Sequence, residues 1–152
     1  SPKGQEIRST AKRIADKQEE LYRAGRLGLV IDGTGKEVVK IKEVNDRLQE
    51  LGYDTMMIFV NTDLETNIEQ NTQRNRRLPE KMVKQMWSEV QKNVGKFQNM
   101  FGQENFLVID NSKDQRDSSM ERLENASKKI RAFLKTPPSK PAAIEWIKSH
   151  SS

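Results

Sequence analysis

The amino-acid sequence predicts an α/β fold with a three-layer arrangement, in which helices lie on both faces of a parallel sheet. Short apolar runs, each closed by polar residues, alternate with longer segments whose apolar residues recur at helical spacing. Strands separated by helices of this length pair in parallel through right-handed crossovers, and ligands bind beyond the carboxyl ends of such strands. The predicted order is α-β-α-β-α-α-β-α, followed by a tail.

The first elements are a helix over residues 5–24 and a short apolar run at 27–31, which predicts a buried strand. The sequence Asp-Gly-Thr-Gly at 32–35 forms the loop after this strand. A second helix follows and ends before Gly52, since glycine is typical of a helix C-terminus. Its apolar stripe consists of Val38, Ile41, Val44, Leu48 and Leu51.

Residues 55–60 predict the second strand, and Thr62 and Glu65 have the spacing of a capping box for a third helix at about 63–76. This helix has almost no apolar face, so we expect a mobile lid rather than a core helix. The fourth helix, at about 79–101, carries the strongest core stripe of the chain: Met82, Val83, Met86, Trp87, Val90, Val94, Phe97 and Phe101.

The last elements are a third strand at 106–110 and a helix at about 115–135. We therefore predict one partial domain over residues 1–135, with its polar lid at about 63–79. Three prolines make residues 136–141 a stiff linker, and residues 142–152 form a tail that contains a short helix, either free or bound to a partner.

The composition restricts the classes of function. The chain of 152 residues has 27 basic and 22 acidic residues and a net charge of +5, which fits either a solvated surface or an anionic ligand such as a nucleotide or nucleic acid. It has no Cys and one His, which argues against thiolate chemistry and His clusters. No apolar run approaches the about 20 residues that span a bilayer, so we expect a soluble protein of the cytoplasm or of a virion, without a membrane.

The stretch GLVIDGTGKE at 28–37 looks like a phosphate-binding loop, but the motif fails. A P-loop requires G-x-x-x-x-G-K-[ST]. Val30 stands where the first glycine is needed, and Glu37 stands where the motif needs a hydroxyl. The stretch is therefore interpreted as a strand and a turn.

Two candidate site residues lie in this turn. Asp32 directly follows the predicted strand, where its carboxylate could hold Mg²⁺ through water or accept a substrate proton. In the alternative interpretation, Asp32 and Thr34 cap the next helix and the glycines only make the turn.

A cluster of arginines lies at the end of the predicted polar helix and leads into a turn that ends at Pro79: Arg74, Arg76 and Arg77. Guanidinium groups are planar, permanently charged donors suited to phosphate oxygens. The alternative is that they complement the dipole at the helix C-terminus. After the third strand, Asn111 and Ser112 either contact a base or ribose or simply start the following helix.

Three segments together resemble a known family: LGLVIDGTGK at 27–36, GYDTMMIFVNTDLETNIEQNTQRNRRLP at 52–79 and FLVIDNS at 106–112. Their order and spacing are similar to the C-terminal two-thirds of P-loop kinases of the zeta-toxin-like, predicted-ATPase group that is common in tailed phages. The resemblance covers about residues 5–135. It implies a P-loop-kinase-like fold, ATP and Mg²⁺ as cofactors, and transfer of the γ-phosphoryl group to a hydroxyl acceptor.

The resemblance also implies roles for individual residues. Asp32 would lie near Mg²⁺ or the acceptor hydroxyl, and Thr34 would contact the substrate. Arg74 and Arg77 would bind the transferring phosphates, with Arg76 as a third. The remaining two candidates, Asn111 and Ser112, would lie near the adenine.

The chain departs from this family because the first strand and the G-x-x-x-x-G-K-[ST] loop have no counterpart in it. Three explanations fit: the chain is part of a longer polypeptide, a partner chain supplies the missing strand, or the chain is a degenerate kinase fold. In the last case it would be a noncatalytic interaction or structural module, for example in a phage particle. In each case we expect the chain alone to be inactive. Nucleic-acid binding through the basic surface is a further alternative.

Overall fold

The computed structural model describes residues 2–151, apart from the side chains of residues 115–117, and divides the chain into two compact units, Ser1–Asp32 and Gly33–Ser152. The termini of the predicted domain and tail, Ser1 and Ser152, lie outside the described residues. Among the residues described, no helix has both the length and the apolar composition that crossing a bilayer requires.

The first unit is built on helix α1, Pro2–Ala24, which confirms the first predicted helix. Its apolar side chains are exposed, and the helix ends at a turn in which Arg26 has a φ of 52°. The prediction of a buried strand at 27–31 is wrong, because these residues have no regular structure and Val30 is fully exposed. A strand needs a hydrogen-bonding neighbour, and the sheet described below does not include this segment.

The second unit contains the remaining helices and both strands. Its helices are α2 (Val38–Glu50), α3 (Leu64–Thr72), α4 (Glu80–Phe101), α5 (Ser119–Lys135) and α6 (Pro141–His150). Its strands are β1 (Met57–Asn61) and β2 (Phe106–Asp110), and short 3-10 helices span Gln103–Asn105 and Lys113–Ser118.

The sheet corrects the predicted fold class. Strands β1 and β2 pair in parallel, as predicted, but within residues 2–151 they are the whole sheet, and 68% of the chain is helical. Ile58, Val60 and Val108 keep exposed side chains, so helices do not cover both faces of this sheet. The three-layer parallel fold with helices on both faces is therefore wrong, and the structure is a mainly helical chain with a small parallel sheet.

The core of the second unit lies where α4 packs against the sheet, around Phe97, which is 0% exposed, and Phe59. Gly35 fits into this core with a φ of +67°, and a Cβ there would lie 3.4 Å from the ring of Phe59. The side chain of Asn93 on α4 donates to the carbonyls of Gly35 and Lys36 at 3.1 and 3.0 Å. The apparent phosphate loop is therefore a packed turn.

Helix α4 only partly follows its predicted core stripe. Val83 and Phe97 are buried, whereas Met82 and Met86 are exposed. Trp87 packs with its ring nitrogen donating to the carbonyl of Thr62 at 2.7 Å. This bond fixes α4 beside the end of β1.

Candidate functional site

The strongest polar arrangement of the second unit lies at the carboxyl ends of β1 and β2. We call Asn61, Asp63, Thr66, Asp110 and Ser112 the strand-end cluster. The parallel register places Asn61 opposite Asp110. The pairing continues one step beyond the strands, because the N–H of the next residue, 111, donates to the carbonyl of Asn61 at 2.7 Å. Two of the three predicted strand ends therefore meet at one edge.

Hydrogen bonds join the start of α3 to the loop after β2. Asp63 is the N-cap of α3, and its carboxylate accepts from the N–H of Thr66 at 2.7 Å and from the Thr66 hydroxyl at 3.0 Å. The predicted capping box had placed the cap one residue earlier. The N–H of Asp63 donates to the Ser112 hydroxyl at 2.9 Å, and the N–H of Lys113 donates to the Thr66 hydroxyl at 3.0 Å.

Both carboxylates of the cluster are stabilised in the charged form. The backbone N–H of Thr66 is the main cause that lowers the pKa of Asp63 below its ordinary value. Hydrogen bonding to Ser112, first by its side chain and then by its backbone, lowers the pKa of Asp110, although burial and, to a smaller extent, the negative charge of Asp63 oppose this. At neutral pH neither group is a proton donor, so the cluster is suited to holding backbone and hydroxyl donors rather than to acid catalysis.

The polar helix α3 is packed through its polar residues. Thr66 is 2% exposed and Asn71 is 8% exposed, although the absence of an apolar face had predicted a helix outside the core. Hydrogen bonds replace apolar contacts at these two positions. The expectation that α3 stays out of the core is therefore wrong for Thr66 and Asn71.

A loop with three exposed arginines follows α3. We call residues 73–77 the arginine loop; it contains Arg74, Arg76 and Arg77. Helix α3 ends at Thr72, and it has no basic residue in its last turn. The interaction with a helix dipole falls off within the last turn, so the alternative that these arginines serve the helix C-terminus is weakened.

The acidic residues nearest in sequence to the arginine loop are engaged elsewhere. Glu69 pairs with Lys113 at 3.0 Å, and Glu80 pairs with Lys84 at 2.6 Å. Among the described side chains, none forms an ion pair with the arginines of the loop. The loop therefore presents three positive charges that have no ion-pair partner among the described side chains.

A second group of basic residues lies at the start of α2, and most of its cations have acidic partners. Lys36, Lys40 and Lys96 line an open pocket there together with acidic residues. Lys36 pairs with Glu89 at 3.4 Å and Lys40 pairs with Glu37 at 3.6 Å. Because two of its three lysines have acidic partners, this pocket is the weaker candidate for an anion.

The structure places the other predicted site residues as follows. Asp32 is exposed at the end of the first unit, and Thr34 is exposed in the second unit. The N-cap of α2 is Glu37, so the alternative in which Asp32 and Thr34 cap this helix is wrong.

Asn111 is exposed after β2, whereas Ser112 is buried. The bonds of Ser112 to Asp63 and Asp110 give it a structural role, and nucleotide contact by Asn111 and Ser112 stays a prediction.

The described side chains do not by themselves form a complete donor set for Mg²⁺. Among the side chains of residues 2–114 and 118–151, no group of three or more His, Cys, Asp or Glu could hold a metal ion. Asp32 contributes one exposed carboxylate, whereas Mg²⁺ requires an octahedral set completed by water and substrate phosphates. The residues present therefore do not define a metal site, and Mg²⁺ stays a prediction from the resemblance.

Three residues of this region were missed by the sequence analysis: Asp63, Thr66 and Asn71. Asp63 had a usable signal, because Asp directly before a helix is a preferred N-cap. Thr66 and Asn71 had none, since polar residues on a polar helix predict exposure.

Comparisons with family models, with curated proteins and with solved structures found no match to this chain.

Proposed function

We propose that this chain is part of a nucleotide-dependent phosphotransferase and that the arginine loop binds the phosphates. The observation that carries the proposal is the exposure of Arg74, Arg76 and Arg77, without acidic partners among the described side chains, on one short loop. Arginine binds phosphate oxygens with two parallel hydrogen bonds, and hydrogen bonds to charged groups contribute about 1.5–3 kcal/mol each.

The reaction is transfer of the γ-phosphoryl group of ATP to a hydroxyl acceptor. Negative charge spreads over the equatorial oxygens of the phosphoryl group during transfer, and guanidinium groups stabilise that charge. Arg74 and Arg77 are proposed for this role, with Arg76 as a third contact. Asp32 near the acceptor hydroxyl and Thr34 at the substrate stay predictions from the resemblance, and the proposal does not depend on them.

The sequence supports phosphate binding by this chain without turnover. G-x-x-x-x-G-K-[ST] does not occur in the 152 residues, so the backbone cradle and lysine that such enzymes use for the outer phosphates are not supplied here. The arginine loop is proposed to bind a polyphosphate by itself, with lower affinity than a complete site.

Calorimetry with the full chain tests the proposal, with tripolyphosphate and ATP as ligands. We expect the triple variant Arg74→Ala, Arg76→Ala, Arg77→Ala to bind tripolyphosphate at least about tenfold more weakly than the wild type, which corresponds to one charged hydrogen bond. The control variant replaces three exposed cations of α5, Lys129, Arg131 and Lys135, with alanine and so changes the net charge equally. Equal losses in both variants, or no loss in the first, would contradict the proposal.

Nucleic-acid binding is the second candidate, supported by the net charge of +5 and by the same arginines. A single-stranded oligonucleotide would then bind more tightly than tripolyphosphate, and its affinity would fall steeply with added salt. A chain that binds neither ligand would be a noncatalytic interaction module.

A further inference from the structure

A side chain on α3 closes the arginine loop at its base. The amide of Asn71 donates to the carbonyl of Leu78 at 2.8 Å, and its oxygen accepts from the N–H of Leu78 at 3.0 Å. One side chain thus satisfies both the N–H and the carbonyl of Leu78, as a neighbouring strand does for a residue in a sheet. The backbone N–H of Arg74 also donates to the carbonyl of Asn71 at 3.3 Å.

This contact is shielded from water because Asn71 is buried, and its backbone belongs to a regular helix. Asn71 as a whole is 8% exposed, so loss of either hydrogen bond would leave a poorly hydrated polar group. Residues 72–77 between the two ends are all exposed. The loop therefore has a fixed base and a solvated tip, and the arginines are on the tip.

Closing a loop at its base limits the separations that its side chains can adopt. Binding a polyphosphate with several arginines costs conformational entropy for each side chain that becomes ordered, and a preformed loop reduces that cost. Asparagine suits the position because its amide carries a donor and an acceptor on one short side chain. Alanine supplies neither, and aspartate supplies only the acceptor.

We infer that Asn71 is a positioning residue, which holds Arg74, Arg76 and Arg77 close enough together to bind one polyphosphate ligand at the same time. The inference rests on the proposed function of the arginine loop and adds the residue that sets its geometry. Asn71 itself need not touch the ligand. Its loss should weaken ligands that require several arginines and leave ligands that need one arginine unaffected.

The test compares Asn71→Ala with Asn45→Ala in the full chain. Asn45 is a matched control because it is also a buried asparagine on a helix, 5% exposed, and accepts a hydrogen bond from the Thr55 hydroxyl at 2.6 Å. Both variants should lose stability in urea. Calorimetry then gives the affinities for tripolyphosphate and for inorganic phosphate, and amide hydrogen exchange by NMR reports on the N–H of Leu78.

We expect Asn71→Ala to bind tripolyphosphate about tenfold more weakly, which corresponds to reordering of the three side chains, while the affinity for inorganic phosphate is unchanged. The N–H of Leu78 should lose its exchange protection in Asn71→Ala and keep it in Asn45→Ala. Equal tripolyphosphate affinity in Asn71→Ala and the wild type, with the arginine variant still impaired, would overturn the positioning role and leave the proposed function standing. If the wild type and the arginine variant bind tripolyphosphate equally, both the proposed function and the positioning role are wrong.

Discussion

Gly52 lies against Ala143 so closely that a Cβ at Gly52 would be 2.5 Å from the backbone nitrogen of Ala143. The contact joins the C-terminal end of α2 to the first turn of α6. Lys140 adds to it, because its ammonium donates to the carbonyl of Tyr53 at 2.5 Å and lies 3.4 Å from the carboxylate of Asp54. The tail helix predicted from the sequence is therefore present and packs against its own chain.

Replacing Gly52 with alanine should displace α6 and destabilise the fold. Its φ of +93° costs any other residue about 1–2 kcal/mol, and the added methyl group would collide with backbone atoms of Ala143. The free energy of unfolding, measured in urea, should fall by more than about 1 kcal/mol. Gly95→Ala is the control: a Cβ at Gly95 meets nothing within 4 Å, and alanine in a helix should stabilise by about 0.5–1 kcal/mol. A Gly52→Ala variant as stable as wild type would disprove the close contact.

The charged state of Asp110 should make stability depend on pH in the acid range. Its pKa lies below the ordinary value because of hydrogen bonding to Ser112. A carboxylate with a lowered folded-state pKa stabilises the fold fully above its unfolded pKa, about 3.9, and that contribution is lost as pH falls through the folded pKa. Asp110→Asn should therefore be less stable than wild type at pH 6, and the difference should shrink at pH 3. Urea midpoints at both values measure this, and a constant difference would contradict it.

The Thr66 hydroxyl should contribute more to the free energy of unfolding than its methyl group does. Thr66→Val keeps the shape but removes the donor to Asp63 and the acceptor for the N–H of Lys113, which should cost about 1–3 kcal/mol. Thr66→Ser keeps the hydroxyl and removes one buried methyl group, at a cost of about 0.8 kcal/mol. Thermal unfolding of both variants checks the order. The opposite order would show that packing, and not hydrogen bonding, anchors α3.

The 152-residue chain should release no phosphate from ATP and transfer none to a hydroxyl acceptor by itself. The reason is that its GTGK turn is packed against Phe59 and held by Asn93, so it does not act as a phosphate cradle. Phosphate release from radiolabelled ATP measures this, with the arginine variant as background. Turnover above that background would show that the chain contains a cradle that neither its sequence nor its packing indicates.

The helices and strands that were predicted best are those whose own residues carry a clear apolar pattern. The strands at 55–60 and 106–110 and the helix at 79–101 appear within a few residues of their predicted bounds, and the parallel pairing of the two strands is confirmed. The run at 27–31 was misassigned because an apolar segment becomes a strand only when a neighbour pairs with it. That condition depends on the rest of the fold, which periodicity does not report.

The site was less predictable than the fold. Arg74, Arg76 and Arg77 were identified as a local cluster at the end of a polar helix and from the family resemblance, and the structure adds their exposure and the engagement of nearby acidic residues. The contact between Asn71 and Leu78 joins a helix position to a loop position, and no sequence pattern links the two residues. Polar residues buried through hydrogen bonds have no periodic signature, so such contacts need coordinates.

The exposed side chains of the small sheet affect how the protein behaves in solution. Ile58, at 42% exposure, and Val60, at 58%, lie on β1, a strand whose far edge is unpaired within residues 2–151. Apolar strands with an open edge promote association, and salting-out agents such as ammonium sulfate strengthen it. Mutual repulsion at a net charge of +5 opposes association and is screened by salt. Light scattering should therefore show colloidal stability in dilute, low-salt buffer and growth of particles as either salt or protein concentration rises.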